Sequence, residues 1–180
     1  MLVTTSREPG NRTRSFVNEL VSVVPVFIKY NRGKATFGEL LDIALSKKAR
    51  YVLIVYERKG NPSLLRVYHV NVIKHLLDGW FDLILKGVTL YREKTGSKPK
   101  PYNGNYCISY STGTELLADL INRLTDYSFC LNKNKDRFRY IKIDTMNELF
   151  TISFHYKTEM IAGPIIRVRK IVNRSNNRSY

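Results

Sequence analysis

The run Tyr51-Val52-Leu53-Ile54-Val55-Tyr56 restricts the fold more than any other stretch of the chain. It is β-branched and aromatic, and almost wholly apolar. A strand with one wet face alternates apolar and polar residues; an unbroken apolar run predicts a central strand covered on both faces. That places the chain among α/β proteins. With 43% hydrophobic residues in a chain of 180, there is enough apolar material for one such core, or for two small halves sharing it.

The flanking sequence supplies the other elements. Leu2-Val3-Thr4-Thr5 predicts a strand, and residues 6–14 a polar loop with Pro9, Gly10 and Asn11 as turn formers. Phe16, Leu20 and Val24, with Val17 and Val21 beside them, mark one face of a helix that Pro25 ends before a strand at Val26-Phe27-Ile28. Thr36 and Glu39 have the spacing of a capping box, and Phe37, Leu40, Leu41 and Ala44 form the buried face of the helix it starts. Gly60-Asn61-Pro62 turns the chain into residues 64–69, which pair with the central run as a hairpin. Residues 81–91 read as a further strand. The basic, Pro- and Gly-containing segment from Lys94 to Pro101 is the best internal linker.

The order then repeats. Cys107-Ile108-Ser109-Tyr110 predicts a strand, Thr112-Gly113-Thr114-Glu115 a second capping box, and Leu117, Leu120, Ile121 and Leu124 a helical stripe. Strands follow near 138–143, 149–156 and 165–171. The expectation is two β-α-β-β halves with a mixed sheet, 1–93 and 106–172, around a linker at 94–105, with a polar tail at 173–180 that frays.

Charge narrows the function. Thirty Lys and Arg against 15 Asp and Glu leave a net charge of +15. Such a surplus repels itself and calls for a polyanionic partner, with nucleic acid ahead of anionic membrane. The longest apolar candidate, residues 21–28, is broken by Ser22 and Pro25 and falls far short of the roughly 18 residues a spanning helix needs. No signal peptide is expected from the first residues, and the location expected is cytoplasmic. There Cys107 and Cys130 are expected to be two buried free thiols, and without a C-x-x-C pair no structural zinc is expected.

Catalytic motifs fail on inspection. Arg32-Gly33-Lys34-Ala35-Thr36 approaches a P-loop, but Ile28 stands where the first Gly is needed and Ala35 where Ser or Thr must follow the Lys. There is no G-x-S-x-G elbow. The three histidines are scattered, and the acids, among them Asp42, Asp78, Asp82, Asp136 and Asp144, form no D-x-D. The expectation is therefore no enzyme, no cofactor and no metal.

What remains is basic residues near helix starts. Arg7, Arg12 and Arg14, with Ser6, Asn11 and Thr13 as neutral donors, sit where the first helix opens and its positive dipole end lies. Lys29, Asn31, Arg32 and Lys34 form a second cluster before the second helix. Arg167 and Arg169 share one strand face by two-residue alternation, either a basic stripe or a protected edge. Lys47, Lys48 and Arg50, at a helix C-terminus, are better read as dipole partners. Several of the 12 tyrosines, Tyr30, Tyr91, Tyr102 and Tyr140 among them, neighbour cations as single-stranded RNA binders require, though most belong to core or sheet.

These residues also carry a resemblance. Thr4-Thr5-Ser6-Arg7-Glu8-Pro9-Gly10-Asn11-Arg12-Thr13-Arg14-Ser15-Phe16, then Glu19-Leu20 and Pro25, resembles the opening signature of the Brix-domain family. Tyr30-Asn31-Arg32-Gly33-Lys34 with Glu39-Leu40 is similar to a segment of its Imp-type subgroup, associated in eukaryotes with the U3 snoRNP. The strand from Tyr51 to Glu57 with Gly60-Asn61-Pro62 continues the likeness. Ala162-Gly163-Pro164-Ile165-Ile166-Arg167-Val168 is similar to the family's late Gly-Pro motif, with Ile165 where members usually carry Arg. The resemblance runs from Met1 to about Val172 and is thin from Lys94 to Asp144. A domain of this size looks archaeal in type. The resemblance implies two pseudo-symmetric α/β halves similar to the anticodon-binding domain of class IIa aminoacyl-tRNA synthetases. It implies a role in rRNA processing and ribosome assembly without catalysis. The partners implied are rRNA or pre-rRNA, with a guide RNA as a further candidate, and other assembly factors. The rival reading is a protein-interaction module whose RNA contact is secondary.

Overall fold

The computed structural model describes residues 1–102, 104, 106–130, 139–156 and 160–174. Their elements are β1 (Leu2–Thr5), α1 (Asn11–Val23), β2 (Ile28–Lys29), α2 (Phe37–Ser46), β3 (Tyr51–Arg58), β4 (Asn61–Asn71), β5 (Leu76–Thr89), α3 (Tyr91–Thr95), β6 (Tyr106–Tyr110), α4 (Glu115–Thr125), β7 (Arg139–Met146), β8 (Leu149–Tyr156) and β9 (Met160–Asn173). The strands form one nine-stranded mixed sheet in the order β2-β1-β3-β4-β5-β9-β8-β7-β6.

That order is a palindrome in kind. β1 lies parallel to β3 as β6 lies parallel to β7, and the antiparallel pair β5–β9 stands at the centre. Even β2 has a counterpart: the segment Ser128-Phe129-Cys130 returns from α4 and runs parallel beside β6, with Ile108 N–H bonded to Ser128 O and Cys130 N–H to Ile108 O.

The apolar run in β3 divides between two cores. Leu53 and Val55 pack with Phe16, Leu20, Leu117 and Leu124 under α1 and α4. Val52 and Ile54 pack with Leu40, Leu41 and Ala44 of α2. All four strand residues are at most 4% exposed, so the strand is covered on both sides as the sequence predicts.

Several local expectations change. α1 begins at Asn11 with Gly10 as its cap, so the last part of the expected loop is the first helical turn. The second strand is only Ile28–Lys29. β5 starts at Leu76 and ends at Thr89, and α3 takes the first residues assigned to the linker. The first capping box forms, with Glu39 N–H donating to the Thr36 hydroxyl and Thr36 N–H to the Glu39 carboxylate. The second does not: Thr114 is the cap, its hydroxyl donates to Ser111 O, and the Glu115 carboxylate accepts from Gly113 N–H. The cap thus falls two residues after Thr112, and the Glu115 carboxylate is spent on Gly113 instead of closing a box. The strand expected near 138–143 is β7, which opens at Arg139 in the described residues; Phe138, Asp136 and tail residues 175–180 lie outside them.

The cysteines are not free. Cys107 of β6 and Cys130 are joined by a disulfide, with 4.9 Å between their Cα atoms. Their sequence separation of 23 hid this; the return of the chain alongside β6 brings the sulfurs together. Among the described residues no helix is long and apolar enough to cross a membrane.

Candidate nucleic-acid interface

A cleft of about 560 Å³ opens at the C-terminal ends of the parallel strands β1 and β2. One wall is the turn from β1 into α1. Ser6 N–H continues the strand pairing to Val55 O at 2.8 Å, and Glu8 turns the chain with φ 51°. Gly10 N–H then donates to the Glu57 carboxylate at 2.8 Å, fixing the start of α1 against the end of β3.

The facing wall is the connection from β2 to α2. Tyr30 N–H bonds Val3 O at 2.9 Å, and the Thr4 hydroxyl bonds Tyr30 O at 2.8 Å. These two bonds lay residues 29–31 against β1. Gly33 makes the turn with φ +54°, a conformation that favours glycine. Arg32 is only 7% exposed. Its Nε donates to Ala35 O at 3.1 Å and its guanidinium lies 5.1 Å from the Phe37 ring centroid. The hydrogen bond and the cation–π contact together stiffen this wall.

Two of the three sequence clusters meet here. Arg7, Arg14, Lys29, Asn31, Arg32 and Lys34 all line the cleft. Five cations face a single lining carboxylate, Glu8. The positive field extends to α2: backbone and hydroxyl hydrogen bonds from Thr36 hold the Glu39 carboxyl below its usual pKa, and the charge of Arg7 acts in the same direction.

The other candidates stand elsewhere. Arg12 pairs with the Glu93 carboxylate and donates to Val88 O at 3.0 Å, so it ties α1 to β5 and α3. Thr13 is fully buried, facing the core, with no partner for its hydroxyl among the described residues. Ser6 is half-buried and Asn11 exposed at the helix start. Arg167 directs both terminal nitrogens to the Thr89 hydroxyl, at 3.0 and 2.8 Å. Arg169 is exposed at the register shift where Ile84 pairs with Lys170 and Leu85 with Val168. Neither lines the cleft. Thr5 and Asn18, which belong to neither sequence cluster, also line the cleft. Asn18 had a usable signal, since it lies one helical turn beyond Arg14.

No family model matches the chain. A probable Brix domain-containing ribosomal biogenesis protein of Methanococcus maripaludis is 32% identical over 177 residues, which cover 95% of this chain and 96% of that one. The crystal structure of a probable ribosomal biogenesis protein from Aeropyrum pernix K1 superposes with a TM-score of 0.79 at 29% identity, covering 93% of each chain. That of Mil, an archaeal Imp4-like protein, gives 0.71 at 22% identity over 96% of this chain and 99% of the other, a likeness of fold.

Proposed function

The chain belongs to the family of Brix domain-containing ribosomal biogenesis proteins, and from that premise we propose that it binds pre-rRNA during rRNA processing and subunit assembly. The observation that carries the reading is the meeting of Arg7, Arg14, Lys29, Arg32 and Lys34 around one cleft at the α1 N-terminal turn. Arg7 and Arg14 supply planar forks that engage two phosphate oxygens at once, while Lys29 and Lys34 act as point charges. Asn31, Asn11 and Ser6 add neutral donors. Arg12, paired with Glu93, and the buried Thr13 are assigned in this reading to holding the start of α1. Arg167 and Arg169 form a separate, secondary contact.

The protein holds or remodels RNA structure, and no covalent step is assigned to it. Its partners are rRNA or pre-rRNA, with a guide RNA as the alternative, and other assembly factors. The reading includes the division into halves 1–93 and 106–172 around 94–105, which the palindromic strand order supports. It also includes the likeness to the anticodon-binding domain. A cytoplasmic location belongs to the same reading.

The test is RNA affinity measured from about 50 to 200 mM salt. Arg14→Ala with Lys34→Ala weakens binding and flattens the salt slope by ~0.7–0.9 per lost phosphate contact. A folded double variant with unchanged affinity and slope removes the cleft from the reading. One observation favours a second reading, docking of an assembly factor: the β4–β5 turn carries Val72 and Ile73 at 67% and 97% exposure. Binding there would barely respond to the same salt series.

A further inference from the structure

A second groove, of about 660 Å³, lies by the start of β3, between β4, β5 and α4. Tyr51 lines it, whereas four residues on Val55 O accepts from Ser6 N–H in the turn that leads to the basic cleft, so about 13 Å of strand lies between. Its walls carry Tyr51, His69 and Trp80 together with Arg66, Arg123 and Arg174. Tyr51 and Trp80 are stacked, with ring centroids 5.0 Å apart and planes at 18°, and His69 stands edge-on to Tyr51 at 5.5 Å.

The backbone accounts for this arrangement. Val67 pairs with Phe81 and Tyr68 with Gly79, which leaves Trp80 unmatched in a bulge. Bulges re-aim side chains that strict alternation would send elsewhere. β9 ends at Asn173 opposite Phe81, and Arg174 then bonds Trp80 O through its N–H at 2.8 Å. Arg66 and Arg174 share the buried Asp82, Arg66 with two bonds at 2.7 and 2.9 Å and Arg174 with one at 2.9 Å. Asp78, the one carboxylate in the lining, accepts from Asn71 at 2.8 Å. Arg123, exposed on α4, has no carboxylate within ion-pair range among the described residues.

A ring stack that belonged only to the core would be closed over. Here Trp80 and Tyr51 are half-buried and His69 is exposed, so aromatic surface faces an open groove flanked by guanidinium groups. Unpaired bases seek that combination, a π surface to stack on with cations for the neighbouring phosphates.

We propose that the Tyr51–Trp80–His69 groove takes an unpaired nucleobase from a single-stranded segment of the RNA held by the basic cleft, with Arg123 on the adjoining phosphate. The proposal rests on the RNA-binding reading of the cleft and adds a second contact point to it.

Trp80 is the one tryptophan of the chain, so its emission reports on this groove alone. The intact protein is titrated with a short oligoadenylate and with an abasic sugar-phosphate oligomer of equal length. The oligoadenylate quenches Trp80 and the abasic oligomer does not. His69→Ala with Arg123→Ala, both at exposed positions, lowers oligoadenylate affinity about fivefold or more. Abasic-oligomer affinity falls less. Oligoadenylate binding that Arg14→Ala with Lys34→Ala weakens, but that leaves Trp80 emission unchanged, overturns the platform and spares the cleft. Quenching that survives those two substitutions at full affinity keeps the platform and overturns the cleft. No binding by wild type overturns both. A partner protein that quenches Trp80 and cannot be displaced by the oligomer assigns the groove to protein docking and overturns the nucleobase.

Discussion

Arg12, Thr13 and Arg14 are neighbours in sequence and do three different things. Arg12 closes on Glu93 and Val88, Thr13 points into the core, and Arg14 reaches the cleft. Successive helical residues are about 100° apart, so a basic cluster that straddles a helix start must be split by the helix it starts. Arg12→Ala is expected to lower stability by about 1 kcal/mol, as fits a partly exposed ion pair, while RNA affinity stays within about twofold. A urea titration beside an RNA-binding curve checks this; a large loss of affinity at unchanged stability would return Arg12 to the phosphate set. Tyrosine behaves in an equally divided way. Burial pushes the phenols of Tyr68, Tyr106 and Tyr127 up to about 12. A raised pKa in the folded state favours the neutral form. The stabilisation is complete below the ordinary value near 10 and is lost as pH rises from 10 through 12. Absorbance titration should show these three tyrosines ionising late, together with alkaline unfolding.

At the scale of elements, the two helix starts show what a motif needs beyond spacing. Thr36 and Glu39 exchange bonds because the chain before them is extended, with Thr36 at ψ 175°. Ahead of α4 Thr112 and Glu115 have the same spacing, but the cap is Thr114, at ψ 10°, and the Glu115 carboxylate accepts from Gly113 N–H within a tight turn. The late Gly-Pro segment has a packing reason. A Cβ on Gly163 would lie 3.0 Å from Val23 Cγ2 and 3.1 Å from Phe154 Cβ, so glycine lets α1 cross β9 closely. Gly163→Ala should therefore cost about 1–3 kcal/mol through overpacking, read as a lower urea midpoint at unchanged slope. An unchanged midpoint would mean that Val23 and Phe154 yield freely. Ile165, in place of the family arginine, pairs with Thr89 and Ser153 in mid-sheet. α3 had no apolar period to announce it. Its start is held from outside, by Glu19 of α1 accepting from Tyr91 N–H at 2.7 Å and Arg92 N–H at 3.4 Å.

For the whole molecule, the palindromic sheet explains how a chain of this length closes one continuous structure with two helices on one face and a third on the other. The halves differ where it matters for binding. Arg7 and Arg14 around the α1 start join Lys29, Arg32 and Lys34 from residues 29–34 at one cleft, whereas the turn before α4 is Ser111-Thr112-Gly113-Thr114-Glu115, without a cation. One half thus gathers five cations around a single cleft. The disulfide ties the outer edge of the other. A thiol reagent should find no free thiol in the unfolded, unreduced protein and two after reduction. Cys130→Ser should cost about 2–4 kcal/mol. Two reactive thiols before reduction would sink this prediction.

Patterns that depend on near neighbours could be read from the residues in order. The doubly covered strand, the apolar faces of α1 and α4, that of α2 except for Phe37, which is 43% exposed, the first capping box, the repeated order of elements and the basic segments around the α1 and α2 starts are all set by spacing within a few positions. What folding alone decided are relations between distant residues: the Cys107–Cys130 bond, the capture of Arg12 by Glu93, the seating of Glu19 on α3, and the ring stack of Tyr51 with Trp80. The physical reason is that hydrophobic periodicity is a local property of the backbone, whereas a partner for a charge, a thiol or a ring is chosen by which strands pair and where a bulge shifts their register.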